Sequence, residues 1–322
     1  MTTRGPLRIV IPGGSGQVGR VLARHFQERG DHVIVLTRSP HTAEWETVHW
    51  DGATRGLWTQ YLDGADVCIN LAGRSVNCRY TPENRADIYN SRIVSTRLLG
   101  EVIGSLAKPP RVWLNASTAT IYRHALDRDM DEKTGELGGG EIGAPDSWKF
   151  SIRVACDWEA AFFKARTPET RKVAMRSAIT LSPVPGNAFA LLSNLVRLGL
   201  GGKQGNGRQW VSWIHEDDFA RAVEFLMLRD DMDGTVNIAS PYPEKNREFM
   251  ATLRDAWEMP NGLPAPKPLL ELAALVMRTE TELVLKSRRV VPARLLEAGF
   301  QFEFPHWAHA AEDLVRMWRE RD

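Results

Sequence analysis

The stretch IVIPGGSGQVGRVLARHFQERGDHVIVLTRS, residues 9–39, decides the fold. An apolar run enters glycines at 13, 14, 16 and 19, an amphipathic segment follows, and HVIVLT (32–37) is a second apolar run. That order is strand, turn, helix and strand, the opening unit of a parallel sheet. Glycine permits the tight turn, lets backbone come close to a pyrophosphate and lets the helix pack closely on the strand. The first N–H groups of the helix then face the anion. The spacing fits both GxGxxG (14, 16, 19) and GxxGxxG (13, 16, 19), so it does not name a subfamily. Its place between an apolar strand and a helix makes dinucleotide binding the expectation.

The end of the second strand bears on which dinucleotide. Where an NAD site places a carboxylate for the ribose 2′-hydroxyl, this chain has Thr37, Arg38 and Ser39. A carboxylate would repel a 2′-phosphate, whereas a guanidinium pairs with it through a planar fork and neighbouring hydroxyls add hydrogen bonds. The expected cofactor is NADP (NADPH/NADP+).

Outward from this unit, the alternation of apolar runs and amphipathic stretches continues to about residue 182. Candidate strands are LRIVI (7–11), HVIVLT (32–37), TVHW (47–50), ADVCINL (65–71), RVWLNAS (111–117) and KVAMRSAITL (172–181). Several are apolar almost throughout, as strands buried on both faces are. Between the fourth and fifth, residues 82–108 space Ile88, Ile93, Leu98, Leu99, Val102 and Leu106 for one buried helical face, which predicts a crossover helix. Beyond 182, proline and glycine cluster and the intervening segments have helical period. The expectation is an α/β, Rossmann-like, doubly wound parallel sheet over 1–182, revisited at about 207–240, with a smaller, mostly helical substrate lobe over 183–322.

Bulk composition narrows the function. The 322 residues are 43% hydrophobic and 25% charged, with a formal net charge of +1, so no broad field of one sign awaits nucleic acid or an anionic membrane. Cys68, Cys78 and Cys156 are odd in number and lack metal-ligand spacing, which predicts reduced thiols and no metal site. No apolar run approaches the ~20 residues of a membrane span. The expectation is a cytoplasmic protein acting on a small molecule.

GGSGQVG (13–19), LTRSP (36–40), NLAG (70–73), NSRIVSTRLL (90–99), STATIY (117–122) and WIHEDD (213–218) occur in this order. Together they resemble the extended, or atypical, short-chain dehydrogenase/reductase superfamily. CDWEAA (156–161), LGLGGKQGNGRQWVSWIH (198–215) and RRVVPARLLEAGFQFEFP (288–305) resemble its epimerase-family group, which has bacterial and human members and a C-terminal domain of unknown function. The resemblance implies that Gly13, Gly16, Gln17, Val18 and Gly19 line the pyrophosphate, and that Arg38 and Ser39 hold the 2′-phosphate. It also implies that Leu71, Ala72 and Gly73 lie along the adenine and its ribose. Thr118 stands where the superfamily keeps a hydroxyl for the substrate oxygen. By the same analogy, two copies would pair through helices resembling 83–107 and 151–166.

The superfamily's chemistry uses a tyrosine with a lysine four residues later, whose charge lowers the phenol's pKa. The residues four beyond Tyr61, Tyr80, Tyr89, Tyr122 and Tyr242 are Ala65, Asn84, Ile93, Leu126 and Asn246. No Tyr-x-x-x-Lys exists in the chain. Aligning the expected helix on Glu159 puts Ser151 and Ala155 in those positions, and a serine hydroxyl is too weak an acid to replace a tuned phenol unaided. Thr118 and Tyr122 are the candidate catalytic residues. Lys149, Cys156 and His215 read as a solvated lysine, a small buried residue and a brace for the turn before EDDFARA. Trp148, Trp158, Trp210 and Trp213 suit either a substrate ring or an apolar seam, and Lys203, Arg208 and Gln209 either an anion-binding lid or a solvated loop. The function expected is NADP(H)-dependent oxidoreductase or epimerase chemistry on a carbonyl, hydroxyl or sugar-nucleotide compound. The alternative is a catalytically inactive NADP(H) sensor.

Overall fold

The computed structural model describes residues 5–276 and 280–321. The first half of the chain forms β1 (Arg8–Pro12), α1 (Gln17–Glu28), β2 (His32–Thr37), β3 (Glu46–His49), β4 (Val67–Asn70), α2 (Pro82–Ile103), β5 (Val112–Thr118) and α3 (Asp146–Lys164). There follow β6 (Arg171–Ser177), β7 (Ile179–Leu181), α4 (Ala188–Arg197), β8 (Trp210–Val211), β9 (Trp213–His215), α5 (Glu216–Leu228) and β10 (Gly234–Ile238). The remainder forms β11 (Glu244–Lys245), α6 (Asn246–Ala256), α7 (Lys267–Val276), α8 (Glu282–Leu285), α9 (Ala293–Glu297) and α10 (Trp307–Arg319).

Seven parallel strands form one sheet in the order β10-β6-β5-β4-β1-β2-β3. The chain runs outward from β1 to β3 and then returns to β4 on the other side of β1. That reversal opens a crevice at the carboxyl ends of β1 and β4, the topological switch point where ligands bind in open α/β sheets. The glycine turn lies there because it directly follows β1.

Side chains alternate across the sheet with the strand period of two. Ile9, Ile11, Val33, Val35 and Ile69 pack on Leu22 and Phe26 of α1 and on Phe219 and Val223 of α5. Val10, Ile34, Leu36, Cys68 and Trp113 face the other way, onto Leu99 and Val102 of α2 and Phe162 of α3. Both faces are covered, which is why these strands read as continuous apolar runs. The crossover helix begins as its sequence implies: Thr81 caps α2 by accepting from Asn84 N–H at 3.3 Å, with Pro82 following.

The run at 172–181 departs from the expected single strand. It breaks at Ala178, whose N–H donates to Ile238 O at 2.9 Å where β10 ends. With no neighbour left in the sheet, β7 pairs with β9 in a separate two-stranded sheet. The expected return at 207–240 is therefore made by α5 and β10, while β8 and β9 pair outside the main sheet. A further core gathers around Trp213, Phe249 and Trp307, the last two stacked with centroids 4.1 Å apart. No helix among the described residues is long and apolar enough to cross a membrane.

WIHEDD is an architectural motif here. His215 is fully buried and stacks on Phe304 at 4.0 Å, and its Nδ1 accepts from Asp217 N–H at 3.1 Å, capping α5. Its Nε2 lies 3.3 Å from Asp313 Oδ2. Burial pushes the imidazole from an ordinary 6.5 down to about 4, with Asp313 pulling the other way. A depressed histidine gives stability that is complete above the unfolded value and lost as pH falls through the folded one. Asp217, pushed up to about 6 by burial, works in the opposite direction. His215→Asn keeps a capping side chain that cannot titrate. Thermal melting between pH 7 and pH 4.5 is therefore expected to fall further in the native protein than in this variant.

Candidate functional site

The glycines divide into two kinds. Gly13 has φ +76°, and a Cβ there would lie 2.7 Å from the backbone of Ala72, so the ends of β1 and β4 can approach only with glycine. At Gly19 a Cβ would come within 2.4 Å of Gly14 O. Gly19 thus seats α1 on the turn and does not line the groove. Gly16 is different. It precedes α1 at φ −70° and ψ 173°, a conformation open to any residue, and a Cβ there would meet only Gly13 O, at 3.7 Å. No contact among the described residues demands glycine at 16, and its bare face looks onto open space. Helix α1 has no side-chain cap and no carboxylate in its first turn, which leaves the positive end of its dipole available.

Two adjoining cavities flank this point and share Gly73. The first, about 750 Å³, is bordered by Gly13, Ser15, Gly16, Arg38, Ser39 and Ala72. Thr37 and Ser15 are joined hydroxyl to hydroxyl at 3.0 Å along its wall. Arg38 is exposed and has no hydrogen-bond or ion-pair partner among the described residues. The second, about 420 Å³, takes Gln17, Val18, Leu71 and Thr118. Leu71 thus borders the second cavity, apart from Ala72, because successive residues of extended chain point opposite ways. Thr118 Oγ1 accepts from Thr120 N–H at 3.1 Å, so its own proton remains free to be donated.

Tyr122 is brought to neither cavity. It is fully buried, donates to Asn237 Oδ1 at 2.9 Å and receives Arg176 Nη1 at 3.0 Å. A short 3₁₀ turn at Ala119–Ile121 carries it inward, so as a catalytic candidate it is replaced by a packing role. Lys149 is exposed, and Cys156 packs beside Ala155 in a small apolar cluster. Gln209 donates to Gln204 O and Val284 O, which ties the glycine-rich loop to α8, and neither Lys203 nor Arg208 lines either cavity. Of the four tryptophans considered, Trp158 lines the second cavity.

Sequence reasoning missed the polar wall of that cavity. Tyr80 OH lies 3.3 Å from Ser151 Oγ, and Ser151 donates to Glu282 Oε2 at 2.6 Å. Burial raises the Tyr80 phenol to about 12, opposed by the Ser151 hydrogen bond. Glu282 is 3% exposed and its carboxyl is raised by burial, against the pull of Arg288 and Lys286. Lys286 Nζ donates to Thr120 O at 2.7 Å, and burial beside Arg288 brings its ammonium down to about 8. Arg92 donates to Ile88 O at 3.0 Å and lies over Trp158 at 5.2 Å, and burial lowers it to about 10. These side chains come from three distant segments. The one local signal was negative: Tyr80 has no lysine four residues on.

Comparison with known proteins accords with this geometry. Residues 9–239 match the NAD dependent epimerase/dehydratase family, and residues 265–314 match a domain of unknown function, DUF1731. Epimerase family protein SERP0438 of Staphylococcus epidermidis is 31% identical over 309 residues, covering 96% of this chain and 99% of that protein. Epimerase family protein SA0724 of Staphylococcus aureus strain N315 is also 31% identical, over 95% of this chain and 98% of its own length. The structure of human epimerase family protein SDR39U1 (isoform 2) with NADPH superposes with a TM-score of 0.84 at 27% identity, covering 96% of this chain and 99% of that one. A nucleoside-diphosphate sugar epimerase from Corynebacterium glutamicum gives 0.73 at 26% identity, covering 98% of this chain and 61% of that one. The match runs nearly end to end, over both the sheet with its glycine turn and the helical C-terminal region, and the chain belongs to the NAD dependent epimerase/dehydratase family.

Proposed function

We propose that this protein is an NADP(H)-dependent oxidoreductase or epimerase that acts on a carbonyl or hydroxyl compound in the second cavity. One observation carries the reading: two cavities adjoin at the switch point, and the first is bordered by bare Gly16 at the uncapped end of α1 and by Arg38, which has no partner among the described residues. The residues fit the group. The N–H groups of Gln17 and Val18 would hold the diphosphate, and Arg38 with Ser39 the 2′-phosphate. Ala72 would stay on the adenine side, whereas Leu71, lining the second cavity, would border the nicotinamide end in place of the adenine expected of it, with Gly73 between the two; there the bound cofactor supplies or takes a hydride. Thr118, whose hydroxyl proton is not engaged by Thr120, would donate a hydrogen bond to the substrate oxygen. The alternative raised by the missing Tyr-x-x-x-Lys, a sensor without turnover, requires NADPH and NADP+ to bind with unequal affinity.

Arg38→Ala tests the cofactor assignment. Hydrogen bonds to charged groups contribute about 1.5–3 kcal/mol, so NADPH affinity should fall roughly 10- to 100-fold. NADH affinity should stay within about 3-fold of the native value, because no 2′-phosphate is involved. Isothermal calorimetry with both nucleotides reads this directly, and equal losses would remove the phosphate contact. A panel of aldehydes, quinones and sugar nucleotides, with NADPH oxidation followed by absorbance, tests turnover.

A further inference from the structure

Resting on the reading above, we infer that Tyr80 is the proton donor and acceptor of this site and exchanges its proton with Glu282 through Ser151. Ser151 stands where the superfamily's tyrosine is expected, and its side chain is too short to reach far into the cavity. The Tyr80 phenol, carried by a different segment, meets it at 3.3 Å. Tyr80 lies in the loop before α2, its backbone N–H bonded to Glu280 Oε1 at 3.0 Å and its carbonyl to Arg85 Nε at 3.0 Å. Its ring meets Phe150 edge-on at 5.2 Å. The anchored phenol lines the same cavity as Thr118.

Packing alone gives little reason for this arrangement. Phenylalanine would fill the aromatic cluster equally well. Glu282 Oε1 has no hydrogen-bond partner among the described residues, an unfavourable condition for a buried polar atom. Lys286 and Arg288 stand 3.6 and 3.8 Å from that oxygen. They can steady a carboxylate without fixing its proton. The other charged or titratable neighbours of Tyr80 are Arg92, Cys78 and Glu280.

The chain of hydroxyls works in both directions. When Glu282 is ionised, Ser151 donates to it and Tyr80 donates to Ser151, so a lone pair of the phenol faces the cavity. A substrate hydroxyl then gives its proton to Tyr80 as the Tyr80 proton passes to Ser151 and the Ser151 proton to Glu282. The carbinol C–H bond breaks as hydride to oxidised nicotinamide dinucleotide, and a carbonyl forms. When Glu282 is protonated, each bond reverses: the carbonyl carbon accepts a hydride from the reduced dinucleotide and its oxygen takes the Tyr80 proton. Ser151 replaces that proton, Glu282 replaces the one from Ser151, and solvent reprotonates Glu282. Since burial raises the Glu282 carboxyl, reduction should weaken and oxidation strengthen as pH rises through its elevated value.

The test uses the full chain with Tyr80→Phe, Ser151→Ala and Glu282→Gln. Infrared titration without cofactor should show a protonated carboxyl band that persists above the ordinary glutamic acid range. That band should vanish in Glu282→Gln and shift in frequency in Ser151→Ala and Tyr80→Phe. With NADPH and phenanthrenequinone as the carbonyl probe, Tyr80→Phe should lower kcat by about 10²- to 10⁴-fold, the usual contribution of a general acid. NADPH affinity should stay within about 2-fold, as the diphosphate contacts are untouched, and Glu282→Gln should flatten the pH profile. A band indifferent to Tyr80→Phe would overturn the relay whatever the turnover, as would native kcat in that variant. Native protein that binds NADPH and shows the coupled band, yet reduces no member of the panel, would keep the proton path and refute the oxidoreductase reading.

Discussion

Replacing Gly16 by aspartate is expected to leave the protein folded and to abolish dinucleotide binding. The backbone at 16 suits any residue, and a Cβ there approaches nothing closer than 3.7 Å. Aspartate is also a favoured cap: its carboxylate would accept from the free N–H groups of α1 and complement the helix dipole, an effect of about 0.3–1 kcal/mol. Melting of the cofactor-free variant should match or slightly exceed the native value. The same carboxylate would sit where a diphosphate must come. Two like charges about 4 Å apart repel by about 4 kcal/mol at an effective dielectric near 20, enough to weaken binding roughly a hundredfold or more. NADPH and NADH should suffer alike, since both carry the diphosphate, in contrast to the selective loss in Arg38→Ala. Unchanged NADPH affinity in calorimetry would show that the groove over Gly16 is not the phosphate site. The choice of glycine over a better helix cap is then a preference for the ligand at the expense of a few tenths of a kcal/mol of stability.

What could be read in the sequence follows sequence separation. The βαβ unit was legible because Gly19 meets Gly14 within a few residues and the unbroken apolar runs at 9–11 and 33–35 mark buried strands at short range, although the partner that requires glycine at 13 is the distant Ala72. The break at Ala178 was not, since nothing local signals that the neighbouring strand ends at Ile238. Tyr122 drew attention by following Thr118, yet the intervening 3₁₀ turn aims its hydroxyl at Asn237, 115 residues away. The polar wall illustrates the limit. Ser151 meets Tyr80 across 71 residues and Glu282 across 131, and each looks ordinary in its own window. The helix alignment on Glu159 put Ser151 in the tyrosine's place, and Ser151 lines the second cavity, but the alignment could not reveal what would meet it there.

Glu159→Ala is expected to cause the largest loss of stability. Glu159 on α3 accepts Ser117 Oγ at 2.6 Å through Oε1 and holds Arg176 of β6 in a fork, Nε at 2.8 Å and Nη2 at 2.7 Å. Both ionic side chains are about nine-tenths buried. Burial works against the guanidinium's charge, but Glu159 and then Tyr122 hold its pKa above the ordinary arginine value. Removing the carboxylate leaves a cation that cannot shed its proton and has no solvent to turn to. Breaking a buried pair in this way costs about 3–5 kcal/mol, visible in urea unfolding as a lower midpoint. Glu159→Gln should cost less, because the amide oxygen can still accept from Ser117 or Arg176. The pair of changes Glu159→Met and Arg176→Met should recover most of the loss, since neither charge is then stranded and the volume is kept. A loss below about 1 kcal/mol in Glu159→Ala would mean that Arg176 swings out to water and that the network is not rigid. Ser117 lines the second cavity and loses its acceptor in the same variant, so the two effects separate by measurement. Stability should fall in Glu159→Ala and return in the double methionine variant, while Ser117 lacks its carboxylate acceptor in both.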